Sequence, residues 1–270
     1  MDRYAVLGQP IAHSLSPRIH ALFAQATGAR LDYTAIEVAP AALAETLHRL
    51  HAAGYAGLNL TLPHKIDAAA LCAALSQRAH RAGAVNTLIR TDAGWHGDNT
   101  DGLGLVCDLS GNLGLKLAGL RTLILGAGGA ARGILAPLLA QGVAELVLSG
   151  RTPWQPEELA KAFAALGPIR PCTHLALKGD SFDLVINATS AGHAGQVPQL
   201  PPGLFAAGAV AYDLGYGKAA RPFLEWARTH GAARTADGLG LLVEQAAEAF
   251  LRWRGVRPQT AAVLASLRAG

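Results

Sequence analysis

The run Leu123-Ile124-Leu125-Gly126-Ala127-Gly128-Gly129-Ala130-Ala131-Arg132-Gly133 decides how this chain is read. A short apolar segment enters a G-x-G-x-x-A pattern, and an alanine-rich helical segment leaves it. Gly126 suits a tight turn, Gly128 lets a pyrophosphate approach the backbone, and Ala131 keeps the helix close to the strand. The first N–H groups of the helix, with its dipole, then face the phosphates. Outward from this run, the next strand ends Val147-Leu148-Ser149-Gly150-Arg151-Thr152. Dinucleotide folds that take NAD place an acidic residue at this tip, against the ribose 2′-hydroxyl. None stands here: Glu145 is at the wrong end, and Glu157 and Glu158 fall in the following helical segment. Arg151 can instead pair with a 2′-phosphate, so charge favours NADP over NAD.

Further out, strand-like and helix-like runs alternate. The first half predicts strands over 4–8, 31–38, 58–60 and 84–90, and helices over 17–26, 41–53, 63–75 and 100–109. From residue 121 onward the pattern predicts strands over 122–125, 146–149, 184–187 and 209–212. Helices are expected there over 130–141, 157–166, 222–229 and 239–253. This alternation implies an α/β fold with mainly parallel sheets. The glycine-rich stretch 111–119 is the candidate hinge between two halves.

With 270 residues, 51% hydrophobic and 16% charged, the chain is too apolar to be disordered and long enough for two modest domains. Its 23 basic and 19 acidic residues leave +4, scattered rather than striped. That excludes a nucleic-acid surface and suits a small anionic ligand. Cys72, Cys107 and Cys172 make neither a CxxC pair nor a zinc spacing, and His48 and His51 lack a third ligand, so no metal is expected. A reduced, cytoplasmic compartment is the simplest expectation, with no targeting segment. The uncharged stretch 184–212 carries Asn187, Thr189, Ser190 and three prolines, which excludes a membrane span.

Four polar clusters stand where strands give way to helices: Ser14 to Pro17, Asn59 to Lys65, Ala84 to Thr87, and Asp98 to Gly102. Ligands of open α/β sheets bind beyond the carboxyl ends of strands. Together these clusters offer hydroxyls, amides, an ammonium and a carboxylate, a set that suits a small polyhydroxylated acid. Singly, each residue has an ordinary use as a helix cap, a turn former or a solvated charge.

These segments resemble the shikimate dehydrogenase family almost end to end. The resemblance runs through 8–17, through Asn59, Thr61, Pro63, His64 and Lys65, and through Ala84-Val85-Asn86-Thr87. It continues in Asn99, Thr100, Asp101 and Gly104, in 126–130, in 187–192, and in Asp237-Gly238-Leu239-Gly240 with Gln245. It implies a two-domain α/β architecture. Residues 1–102 and 238–270 would form a mainly parallel, shikimate-binding catalytic domain. Residues 103–237 would form a Rossmann-type NADP domain, with the active cleft between the two.

The implied reaction is reversible NADPH-dependent reduction of 3-dehydroshikimate to shikimate, a step toward chorismate and the aromatic amino acids. By matching position, Lys65 and Asp101 would be catalytic. Ser14, Ser16, Asn59, Thr61, Asn86, Tyr216 and Gln245 would contact shikimate or 3-dehydroshikimate. Gly126, Ala127, Gly128, Gly129, Ala130, Arg151, Thr152, Thr189, Ser190 and Gly238 would hold NADP. A monomer and a homodimer are both compatible with the chain.

The chemistry agrees with that pairing. Negative charge develops on the ketone oxygen as hydride arrives, and a positioned ammonium can stabilise it and donate a proton. Asp101 would hold Lys65 by a charge-assisted hydrogen bond. Proton exchange by Lys65 alone and by the Lys65–Asp101 pair both fit. His64 is expected to be structural, because helix neighbours face different directions.

The chain also departs from the family pattern. Gly150 replaces the common Asn of N-R-T, and Gln155 replaces a second arginine. The loop after Tyr216 reads Gly217-Lys218, then Arg221-Pro222. A quinate/shikimate dehydrogenase of broader range is the enzyme alternative; the others are a ligand-binding module without turnover and a folate-directed dehydrogenase. Lys65 and Asp101 together oppose a non-enzyme, and the hydroxyl-rich clusters oppose an aromatic substrate pocket.

Overall fold

Alternation along the first strand sets the first half of the molecule. In chain order the elements are β1 (Asp2–Gly8), α1 (Ser16–Thr27), β2 (Leu31–Glu37), α2 (Leu43–Ala52), β3 (Gly57–Leu60), β4 (Ala74–Leu75), α3 (Gln77–Ala82), β5 (Thr87–Thr91), β6 (Gly94–Asp98) and α4 (Asp101–Cys107). Then come β7 (Arg121–Leu125), α5 (Gly129–Leu139), β8 (Glu145–Gly150), α6 (Trp154–Phe163), β9 (Ile169–Thr173), β10 (Phe182–Asn187), β11 (Phe205–Asp213), α7 (Arg221–Thr229) and β12 (Arg234–Ala236). Helices α8 (Leu239–Arg254) and α9 (Ala261–Ala269) close the chain. The computed structural model describes residues 1–269. It divides into two compact units, Met1–Leu105 with the segment from Leu242, and Val106–Leu241. No helix among the described residues is long and apolar enough to cross a membrane.

The first unit holds a six-stranded sheet in the order β2-β1-β3-β5-β6-β4. β1 pairs in parallel with β2 and β3, and β4 in parallel with β6, while β5 runs antiparallel between β3 and β6. Successive β1 side chains go to opposite faces. Ala5 and Leu7 join Leu58, Leu60, Leu88 and Trp95 in one core cluster. Against it α2 lays Leu43, Leu47 and Leu50, the four-then-three spacing of a helical stripe. Tyr4 and Val6 join Ile11, Tyr33 and Trp253 in a second cluster. Trp253 of α8 donates to the Leu88 carbonyl at 3.0 Å. It lies so close to Gly57 that a Cβ there would come within 2.2 Å of its Nε1.

The second unit holds six parallel strands in the order β12-β11-β10-β7-β8-β9. That is the doubly wound dinucleotide-binding order, with its switch point between β7 and β10. Both strands are almost wholly buried, which is why they read as unbroken apolar runs rather than as alternating ones.

Some expected elements differ. The helix expected over 63–75 is a turn, then a 3₁₀ segment Asp67–Leu71, then β4. Ala74 and Leu75 pair with His96 and Gly97, so sheet-edge pairing outweighs the helical propensity of the alanine run. The strand expected over 84–90 begins at Thr87 and turns back as β6, whose two glycines hide its strand character. α3 is brief because Ser76 caps its start, accepting from Ala79 N–H at 3.2 Å, and Gly83 ends it at φ 57°. The stretch 111–119 is not a hinge at the unit boundary. The boundaries fall inside α4 and α8, and the stretch is tied down within the second unit by Leu115 N–H to Leu109 O and Gly119 N–H to Gly142 O, both 2.9 Å.

Candidate active site

The strand ends of the first unit are locked together before any side chain is considered. Thr61 N–H donates to Leu7 O, Leu60 N–H to Asn86 O, Asn86 N–H to Asp98 O, and Val85 N–H to Lys65 O. These bonds bring the ends of β1, β3 and β6 and the segment before β5 to one place. Lys65, in the turn after β3, sets its Nζ 2.5 Å from Oδ2 of Asp101, the first residue of α4. The pair is sheltered, with side-chain exposures of 16% and 8%. A solvated surface lysine would not show that.

The other Asp101 oxygen accepts from Asn86 Nδ2 at 2.8 Å. The same Nδ2 reaches Thr100 Oγ1 at 2.9 Å and Gln245 Oε1 at 3.2 Å, so its two hydrogens serve three acceptors. Asn86 Oδ1 accepts from Thr100 N–H and from Thr87 Oγ1, both at 2.8 Å. Gln245 reaches this cluster from α8 because α8 and α4 come unusually close. A Cβ on Gly104 would lie 2.7 Å from the Gln245 backbone nitrogen. That contact is the physical reason for glycine three residues after Asp101. Lys65, Asp101, Asn86, Thr100 and Gln245 are therefore one hydrogen-bonded constellation.

The remaining candidates in this unit fall into two groups. Asn59 is buried within the fold: its Oδ1 accepts from Tyr33 Oη at 2.7 Å, and its Nδ2 donates to Asn86 O and Thr87 Oγ1 at 3.2 Å. Ser16 is also buried, and its hydroxyl engages the Tyr33 phenol, whose pKa burial raises well above the ordinary value. Ser14 and Thr61 are half-buried. No side chain caps α1; Ser14 Oγ accepts from Ser16 N–H at 3.3 Å. Tyr33, Thr87 and Thr100 are supporting residues to which sequence reasoning assigned no role. Thr87 and Thr100 stand inside motifs read from the sequence, but nothing there gave them a role, and nothing local marks Tyr33, because the partners of all three lie on other elements.

His64 is fully buried and its Nε2 meets the Val38 carbonyl at 2.8 Å, a structural placement. Behind the constellation, Asp98 is fully buried between Arg78 at 2.6 Å and Arg252 at 3.1 Å. Burial alone would raise its pKa, but hydrogen bonds from Arg78 and Ser76 carry it below the usual carboxylate value.

In the second unit the glycine loop has the shape its sequence requires. Gly126 sits at φ 102°, and a Cβ there would meet the Ala188 carbonyl at 3.1 Å and Thr189 Cγ2 at 3.2 Å. Gly128 caps α5, with open space where its Cβ would be. Gly129 and Ala130 open the helix, and Ala131 is fully buried. Thr189 donates its hydroxyl to Asn187 Oδ1 at 2.7 Å. Arg151, Thr152 and Ser190 are exposed. The bared N-terminus of α5 at the switch point and an exposed guanidinium at the β8 tip fit an NADP pyrophosphate and 2′-phosphate.

Gly150 has its own cause, since a Cβ there would lie 2.9 Å from Cγ of Pro156. Tyr216 lies on the loop after β11, and Gly238 N–H donates to Gly215 O of that loop at 2.8 Å. A Cβ on Gly238 would fall 2.2 Å from Leu214 O.

Three family models cover the chain in succession. Residues 6–88 match the shikimate dehydrogenase substrate binding domain, 109–195 match shikimate / quinate 5-dehydrogenase, and 238–268 match the shikimate 5′-dehydrogenase C-terminal domain. A shikimate dehydrogenase (NADP(+)) of Methylococcus capsulatus is 53% identical over 99% of this chain and 96% of its own. The chain belongs to the shikimate dehydrogenase family. Another shikimate dehydrogenase (NADP(+)), from Dechloromonas aromatica, is also 53% identical, over 99% of this chain and 98% of its own. Among solved structures, shikimate 5-dehydrogenase of Thermus thermophilus, in complex with NADP(H) and shikimate, superposes with a TM-score of 0.83. It is 33% identical and covers 100% of this chain and 99% of that one. For this shikimate dehydrogenase family member, Lys65, Asn86, Thr100, Asp101 and Gln245 of the constellation are all residues whose sequence pattern carried the resemblance.

Proposed function

We propose that the chain catalyses the reversible NADPH-dependent reduction of 3-dehydroshikimate to shikimate. The observation that carries the mechanism is the sheltered Lys65–Asp101 pair, 2.5 Å apart and tied to Asn86. The unit from Met1 to Leu105 with the segment from Leu242 is the shikimate-binding catalytic domain in this reading, and Val106–Leu241 is the NADP domain.

NADPH, when bound, supplies the hydride. Lys65 Nζ holds a proton at the substrate ketone oxygen, stabilises the negative charge that grows there, and donates the proton as the alcohol forms. In the oxidation direction the same nitrogen receives it. Asp101 keeps the ammonium aimed by its short hydrogen bond, and Asn86 in turn fixes the carboxylate. Ser14 and Ser16 take the substrate carboxylate, while Thr61, Asn86, Gln245 and Tyr216 take its hydroxyls. Asn59, whose amide like that of Asn86 also bonds within the fold, contacts shikimate beside them by its matching position. Gly126, Ala127, Gly128, Gly129 and Ala130 cradle the pyrophosphate, Arg151 and Thr152 the 2′-phosphate, and Thr189, Ser190 and Gly238 the remainder of NADP.

The test is the appearance of reduced-nicotinamide absorbance when purified protein meets shikimate and NADP. NADP-linked reduction that exceeds NAD-linked reduction of the cofactor supports the reading. Turnover of quinate with NAD but not of shikimate with NADP would overturn it.

A further inference from the structure

One buried carboxylate in the second unit takes no part in the mechanism above. Asp213, 3% exposed, ends β11 beside Asn187, which ends β10. Its Oδ2 accepts from Asn187 Nδ2 at 2.7 Å, and its Oδ1 accepts from Gly215 N–H at 2.7 Å. Asn187 turns its other end to the next loop: Oδ1 accepts from the Thr189 hydroxyl at 2.7 Å and from Thr189 N–H at 3.1 Å. One amide–carboxylate pair therefore braces two loops, the one with Thr189 and Ser190 and the one with Gly215 and Tyr216.

We infer that Asp213 is a positioning residue that, as a carboxylate, holds the Tyr216 loop in its working shape. The proposal rests on the reading that Tyr216 contacts shikimate. Both Asp213 oxygens act as acceptors from N–H groups, so protonating either one sets a hydroxyl against a donor and breaks one arm of the brace. Asn187 faces the carboxylate from β10 and Asp237 acts on it from the segment after β12. Burial pushes the Asp213 pKa up to about 6, the hydrogen bonds from Asn187 and Gly215 oppose that rise, and the like charge of Asp237 adds to it. An ionised group that costs stability near neutral pH, yet closes a brace between two candidate binding loops, fits a functional part.

The experiment follows the Gly215 amide by NMR in the full chain, from about pH 5 to about pH 7.5, beside shikimate kinetics of wild type, Asp213→Asn and Tyr216→Phe. In the wild type the Gly215 resonance titrates with a midpoint near 6. Shikimate KM then rises about tenfold toward the acid end while kcat moves less. Asp213→Asn shows the raised KM at every pH and no Gly215 titration. A Gly215 amide that does not titrate in the wild type overturns the proposal without any variant having to fold. So does an Asp213→Asn enzyme that keeps the wild-type profile. Tyr216→Phe separates the two readings: unchanged shikimate KM there ends the role assigned to Tyr216, while the Gly215 titration still decides the brace.

Discussion

Lys65 and Asp101 are 36 residues apart in sequence and 2.5 Å apart in space, and the second oxygen of Asp101 is held by Asn86. The ammonium has one close anionic partner, and that partner cannot swing away without breaking a hydrogen bond from the buried Asn86 amide. In the proposed reaction both residues are needed to aim the proton donor, which makes the pair open to test.

Lys65→Ala removes the donor and leaves the glycine loop untouched. We expect kcat to fall by about a hundred- to ten-thousandfold with NADP affinity retained. Single-turnover rates beside NADPH fluorescence titration check it, and near wild-type turnover would remove Lys65 from proton transfer.

Arg151→Ala removes the exposed guanidinium at the β8 tip. NADP should weaken by about tenfold or more, the size of a charged hydrogen bond, while NAD changes little. Parallel Kd measurements for the two cofactors check this. Equal loss for both would end the 2′-phosphate assignment.

Gly104→Ala sets a methyl group 2.7 Å from the Gln245 backbone nitrogen and from its Cβ. Overpacking of this kind costs about 1–3 kcal/mol. Denaturant unfolding should show that loss, and KM for shikimate should rise as Gln245 shifts.

Two buried carboxylates give opposite pH signatures. Asp98 has a depressed pKa, so its contribution is present above the unfolded carboxylate value and is lost as pH falls through the folded one. Asp98→Ala should cost about 1–3 kcal/mol near neutrality, because it removes the buried acceptor of Arg78 and Arg252, while Arg78 keeps Glu248 and Arg252 keeps water.

Asp213, raised from 3.8 to about 6, works the other way. Its contribution is fully present below the unfolded value and is lost as pH rises through about 6, a change on the order of 2–3 kcal/mol. Relative to wild type, Asp213→Asn should therefore gain stability between about pH 4 and about pH 7. Urea unfolding across that range reads it, and a constant difference would contradict the sign.

Much of this was legible in the chain itself. The order strand, glycine turn, helix over 121–139 has one compact solution, and Gly126 at φ 102° with Gly128 bared at the helix start is that solution. Lys65 and Asp101 could be named because each matches a motif of the family the chain resembles. The hairpin of β5 and β6 and the edge strand β4 were hidden, because short strands with glycine or alanine are fixed by their partners rather than by their own propensity.

The sequence by itself determined the α/β class, the dinucleotide loop and the absence of an acidic residue at the β8 tip, because each is a local matter of residue type and spacing; Lys65 and Asp101 stood out only through the family resemblance. Only the tertiary structure decided what holds them. Asn59 turned inward to Tyr33, Asn86 became the hub between Asp101, Thr100 and Gln245, and Asp213 came to brace two loops with Asn187. A buried polar group must find its partner wherever the fold brings one within hydrogen-bond reach, and that distance is not written along the chain.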